Sequence, residues 1–167
     1  MKEKDLYPQI VNWLLKFLRS YYKKGEITVG DTHKINLSDF LVRIGMQDKF
    51  PNFNVFDIKV DITGIIIRPQ KADLAFVECK LNPIRLLDVG QLLGYSLVAK
   101  PVFSYLLSPK GVSDPLHNLL KVYGRHDILK YSEEHTLRIA KWDIQKEEPI
   151  WSTLIPAGAY LRRIQRI

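Results

Sequence analysis

The sequence predicts an α/β fold, a mixed β-sheet flanked by helices, in one domain covering residues 1–167. Three observations predict it. The chain opens on an amphipathic helical stripe, its middle holds two adjoining apolar runs of period two, and a helical segment leading into a short apolar strand follows them. The core of this arrangement occupies about residues 1–107, and C-terminal additions with further strands fill about 108–167. No repeat, low-complexity tract or Pro/Gly/Ser linker divides the chain.

The first helix is predicted from about Asp5 to Tyr22, because Leu6, Ile10, Trp13, Leu14, Phe17, Leu18 and Tyr21 recur at helical spacing and Pro8 falls in a first turn that tolerates it. Gly25 ends it. From Gly25 to Pro51 the apolar residues Ile27, Val29, Ile35, Leu37, Phe40, Leu41 and Ile44 suggest a short strand and a short helix. Phe56, Ile58, Val60 and Ile62 then alternate with Asp57, Lys59, Asp61 and Thr63. That run continues to the turn Arg68-Pro69-Gln70-Lys71, and a second run covers Asp73 to Leu81, so the pair is predicted to be a hairpin inside the sheet. Asn82-Pro83 reads as the N-cap and first residue of a helix to about Ala99, with Leu86, Val89, Leu93 and Leu97 facing the core. A strand at Val102 to Leu107, a loop, a helix near Pro115 to Val122, and two last strands at Ile128 to Tyr131 and Leu137 to Ile144 complete the series.

Composition narrows the function classes. With 46% hydrophobic and 26% charged residues, the chain has the balance of a soluble globular protein rather than a disordered or coiled-coil one. Lys and Arg number 25 against 18 Asp and Glu, a net charge of +7, and the pI is about 9.4, which favours a polyanionic partner with nucleic acid foremost. The lone Cys79 excludes an internal disulfide and a multi-cysteine zinc site. No apolar run has the length of a membrane span and no signal peptide is evident, so a cytoplasmic location without membrane association is expected. The four histidines, His33, His117, His126 and His135, lack the spacing of a metal site and read as surface or structural residues. No Walker A sequence is present, which removes ATP-driven activity.

One constellation carries chemistry. If Arg68 faces Asp73 across the hairpin turn, Asp61 faces Lys80 and Thr63 faces Glu78, so Asp61, Glu78 and Lys80 share one side of the sheet while Cys79 points to the other. Charges on apolar central strands are costly unless paired or metal-bound. Carboxylate oxygens of Asp61 and Glu78, with the Cys79 backbone carbonyl, form a hard ligand set suited to Mg²⁺, with Mn²⁺ as a substitute. Lys80 would orient or deprotonate water, or stabilise charge developing on phosphate. A buried salt-bridge cluster remains the alternative, and Asp57, about 13 Å along the strand from Asp61, is a rival carboxylate.

The joint pattern, Val60-Asp61-Ile62-Thr63-Gly64, a hairpin, then Val77-Glu78-Cys79-Lys80, resembles the PD-(D/E)XK nuclease superfamily, with its restriction-endonuclease-like αβββαβ core. The resemblance covers the first helix to the strand at Val102 to Leu107 and implies that Asp61 and Glu78 bind metal while Lys80 is catalytic. It adds Glu3 as a candidate ligand, which reads equally as a solvated acid at a helix start. It also adds Gln91 and Tyr95, which look like the Gln-x-x-x-Tyr pair of the RecB-like and Holliday-junction-resolvase-like branches, Gln91 supporting the active site. Val60 stands where the named motif has proline. The implied function is a Mg²⁺-dependent endodeoxyribonuclease acting on DNA, branched or structured forms included, as a homodimer. The alternative is a non-catalytic nucleic-acid-binding or assembly module with the same fold. Lys23, Lys24, Lys59, Lys71, Lys110, Arg162, Arg163 and Arg166 are candidate phosphate contacts, each with a solvated-face reading beside it, and the tail Tyr160 to Ile167 reads as an amphipathic segment.

Overall fold

Six strands form one mixed sheet in the order β1-β2-β3-β4-β5-β6 in a computed structural model that describes residues 1–158. The arginine-rich tail from Tyr160 lies outside the described residues. Helix α1 (Tyr7–Tyr21) follows a 3-10 turn at Glu3–Asp5 and leads to β1 (Glu26–Asp31), and a short α2 (Leu37–Arg43) precedes β2 (Ile62–Arg68) and β3 (Lys71–Cys79). Helix α3 (Leu86–Ala99) connects β3 to β4 (Phe103–Ser108), α4 (Asp114–His117) runs into a π-helical turn, and β5 (Arg138–Asp143) and β6 (Glu148–Ile155) follow. The first three strands pair antiparallel, β3 to β4 and β4 to β5 parallel, and β5 to β6 antiparallel. Among the described residues no helix is long and apolar enough to cross a membrane.

The apolar stripe of α1 dictates the first layer. Ile10, Trp13, Leu14, Phe17 and Leu18 bury against Ile62, Ile66, Ala75, Val77, Cys79, Phe103 and Tyr105 on one sheet face. Helices α2, α3 and α4 cover the other face over Ile65, Leu74, Phe76, Leu106 and Ile139. Gly64 is what lets α1 approach: a Cβ there would lie 2.8 Å from Leu18 Cδ1, and Leu18 is fully buried. Gly64→Ala is therefore expected to cost about 1–3 kcal/mol, read as a lower urea midpoint with an unchanged slope; a midpoint equal to wild type would contradict this close packing.

Several expectations are corrected. The hairpin turn is the two-residue Pro69-Gln70, so Arg68 pairs with Lys71, Asp73 with Ile66 and Thr63 with Phe76, two residues from the predicted register. A two-residue slip preserves facing, which is why Asp61 and Glu78 still share a side. The Arg68 guanidinium nevertheless bonds the Asp73 carboxylate diagonally. The stretch Phe56 to Val60 has the predicted alternating burial but no ladder partner, since the Phe56 and Ile58 carbonyls instead accept from the Ser38 and Leu37 N–H groups at the start of α2. Asp57 is exposed there and leaves Asp61 without a rival.

Helix α3 begins at Leu86, with Asp88 accepting from the Arg85 N–H at 2.8 Å, because Ile84 is drawn into a parallel bridge with Val112. Its buried stripe is Val89, Leu92 and Ser96; Leu86 and Leu97 are exposed and Leu93 is half-buried. Ser96 reaches the core because its hydroxyl bonds that of Ser104 at 2.8 Å. Ile128 to Tyr131 is a 3-10 turn (His126–Leu129) with a single bridge from Lys130 to Thr136, not a strand. Strand β6 has no counterpart among the predicted elements. It is an edge strand, where Pro149 is tolerated and where Glu148, Ser152 and Thr153 break the apolar signal.

Candidate active site

Strands β2 and β3 bring two acids together at one end of the hairpin. Asp61 directly precedes β2 and Glu78 is the penultimate residue of β3, so continuing the observed pairing sets them opposite each other. The ladder is replaced here by side chains: the Cys79 N–H donates to Asp61 Oδ2 at 2.9 Å and the Asp61 N–H to Glu78 Oε2 at 3.3 Å. Lys80 Nζ donates to Glu78 Oε1 at 3.1 Å, and its backbone N–H holds the Leu107 carbonyl of β4 at 2.9 Å. Cys79 packs fully buried against the α1 layer, as its alternate position requires.

The segment carrying Asp61 is braced from β1. Thr32 donates its backbone N–H to the Asp61 carbonyl at 2.8 Å and its hydroxyl to the Val60 carbonyl at 2.6 Å, and the Thr32 and Thr63 hydroxyls lie 2.9 Å apart. Helix α1 adds Tyr7, whose hydroxyl donates to Asp61 Oδ1 at 2.8 Å. The 3-10 turn ahead of it carries Glu3 to the same place, with Glu3 Oε1 3.4 Å from the Tyr7 hydroxyl and the Leu81 N–H bonded to its carboxylate. Tyr7 was not among the residues singled out from the sequence; its signal is the Glu3-x-x-x-Tyr7 spacing, which places both on one side of a helical turn.

His33, read from the sequence as surface or structural, also borders the site. Its ring packs on that of Tyr7 with centroids 4.9 Å apart, within electrostatic reach of Asp61. Gln91, by contrast, lies exposed on α3, its amide 3.5 Å from the Tyr95 hydroxyl, and no hydrogen bond among the described residues joins it to Asp61, Glu78 or Lys80.

Three acids here face one ammonium. Burial, then the facing Asp61 charge, push the Glu78 carboxyl up to about 7 against the pull of Lys80. Burial likewise raises Asp61, offset in part by the Cys79 N–H and the Tyr7 hydroxyl, and raises Glu3 against the attraction of Lys80. For Lys80 burial favours the neutral amine, but the Glu78 charge and hydrogen bond, with Glu3 and Asp61, outweigh it and the group titrates above its ordinary value. Burial and the Asp61 bond keep Tyr7 a neutral donor. The fold thus holds more negative charge than its own cation neutralises, in a desolvated place where a missing positive charge is most strongly felt.

Hard oxygen donors with surplus negative charge fit a small divalent cation. Asp61 and Glu78 would hold it with the Cys79 carbonyl, and Glu3 stands next in reach. Among the described residues no group of three or more His, Cys, Asp or Glu side chains is arranged to hold a metal ion, so water and substrate oxygens would have to supply most of the coordination, as Mg²⁺ tolerates. Asp61 and Glu78 are buried at the end of the sheet, and the Lys80 side chain beside them is partly exposed. A groove of about 660 Å³ lies elsewhere, between Leu86, Leu87, Leu116, Leu119 and Tyr123, and its apolar lining offers no comparable chemistry. No family model, curated protein or solved structure matches the chain.

Proposed function

We propose that this chain is a divalent-metal-dependent endodeoxyribonuclease of the restriction-endonuclease-like PD-(D/E)XK kind, hydrolysing phosphodiester bonds in DNA. The observation that carries the reading is the buried pair of facing carboxylates, Asp61 and Glu78, with the Lys80 ammonium 3.1 Å from Glu78. The order α1, β1, β2, β3, α3, β4, with α2 inserted between β1 and β2, and its three antiparallel strands and parallel fourth, supports it by agreement with the αβββαβ core of that superfamily. The net charge of +7 supports a polyanionic substrate, branched or structured DNA included, and two copies acting as a homodimer would serve two strands.

Magnesium, when bound, supplies Lewis-acid polarisation of phosphate and water. The chain's own groups do the rest. Asp61 and Glu78 are held by backbone N–H donors from the opposing strand, so their oxygens are fixed before substrate arrives. Lys80, kept as an ammonium by three acids, neutralises charge building on the phosphate oxygens. Tyr7 fixes the rotation of the Asp61 carboxylate. Tyr7→Phe is accordingly expected to weaken Mg²⁺ binding about 10–100-fold by calorimetry while the protein stays folded; unchanged affinity would remove Tyr7 from the site. The proposal itself is tested by cleavage of plasmid and oligonucleotide DNA with and without Mg²⁺.

A further inference from the structure

Lys80 Nζ is engaged by Glu78 Oε1, 3.1 Å away, on one side of the carboxylate pair. Strand β1 brings a second nitrogen base to the other side. The Thr32 N–H bonds the Asp61 carbonyl at 2.8 Å, and the next residue, His33, packs its ring on Tyr7, whose hydroxyl holds Asp61. Lys80 just past β3 and His33 just past β1 therefore flank the carboxylates from different strands.

The histidine is held as a base would be. Its Nδ1 lies 2.5 Å from Asp31 Oδ1, and its backbone N–H donates to the same oxygen at 3.2 Å. With Nδ1–H given to a carboxylate, the neutral ring carries its lone pair on Nε2. No hydrogen bond among the described residues engages Nε2, and the side chain is 27% exposed, enough to meet solvent and a substrate. The titratable groups that the structure sets against the ring are Asp31 on its own segment, Tyr7 from α1 and Asp61 ahead of β2.

We propose that His33, oriented by Asp31, is the general base of the reaction, its Nε2 taking a proton from the water that attacks the DNA phosphorus. A lone pair of the water oxygen forms the new bond to phosphorus, and the bond to the leaving deoxyribose oxygen breaks with its electron pair. The imidazole becomes imidazolium and returns its proton to solvent, while the leaving oxygen takes a proton from solvent. This assignment rests on the nuclease reading.

A pH–rate profile alone does not isolate His33, because the Glu78 carboxyl is itself pushed up to about 7. Rescue by free imidazole does. The full chain with Mg²⁺ is assayed on supercoiled plasmid as wild type, His33→Ala and His33→Gln, each with and without added imidazole, and Mg²⁺ binding is measured by calorimetry. His33→Ala should lower the rate about 100-fold or more with Mg²⁺ affinity retained, and imidazole should restore it at least about tenfold. His33→Gln, which keeps a hydrogen-bonding group and no base, should be as slow. A His33→Ala rate close to wild type, or a lost rate that imidazole does not restore, overturns the assignment and leaves the nuclease reading standing. A wild type that does not cleave overturns both.

Discussion

Glu78→Ala is expected to lower Mg²⁺-dependent DNA cleavage by about 1,000-fold, with Lys80→Ala close behind. The two losses have different causes. Glu78 is 4% exposed and supplies one of the two carboxylates on which the cation would rest, so its removal should abolish metal binding. In this account Lys80 would supply positive charge where the phosphate gains negative charge, so Lys80→Ala should lower kcat while Mg²⁺ still binds. A purely structural ion-pair cluster predicts otherwise. In that case Glu78→Ala would leave any cleavage intact and would chiefly destabilise the fold, because Lys80 would lose its partner. Measuring cleavage and thermal unfolding on the same two variants separates these accounts, and wild-type cleavage by either variant would contradict the assignment.

Metal-free protein is expected to be less stable at pH 8 than at pH 5. The Glu78 carboxyl lies at about 7 in the fold against 4.5 ordinarily, so the folded state binds the proton more tightly than the unfolded chain. Its contribution is fully present below about pH 4.5 and is lost as pH rises through about 7, by up to about 3 kcal/mol. Asp61, also raised by burial, acts in the same direction. Glu78→Gln removes the charge and keeps an oxygen for Lys80, so it should flatten this dependence and raise stability at pH 8. Saturating Mg²⁺ should do likewise for wild type, adding about 3 kcal/mol at 100 times Kd and several degrees to Tm. Denaturant unfolding at both pH values, with Mg²⁺ and with EDTA, checks all of these. Stability of the metal-free wild type rising from pH 5 to pH 8, or no effect of Mg²⁺ on its Tm, would contradict the account.

How much of this was legible in the sequence depends on the range of the forces involved. Residues two apart on a strand face the same way whatever the strand pairs with, so Glu78 and Lys80 were placed together by local geometry alone. Asp61 joined them despite a register wrong by two, because an even slip leaves facing unchanged. The alternation from Phe56 to Val60 reported burial correctly and pairing wrongly, since side chains seek the core while the backbone is satisfied by α2 instead of a strand. The approach of Tyr7 and His33 to Asp61 is not legible in the sequence for a different reason. It depends on α1 crossing the sheet and on β1 ending beside Asp61, contacts set by tertiary packing and without local periodicity. Gln91 and Tyr95 do meet as their i, i+4 spacing predicts, 3.5 Å apart on the exposed side of α3.

The central claim is that Asp61 and Glu78 hold a divalent cation that makes this chain cut DNA. Incubating supercoiled plasmid with purified protein in Mg²⁺ or in EDTA tests it most directly. The account predicts nicked and linear products in Mg²⁺ and none in EDTA. DNA that is bound but left intact in Mg²⁺ would contradict it and return the chain to a non-catalytic binding module, as would cleavage that EDTA does not suppress.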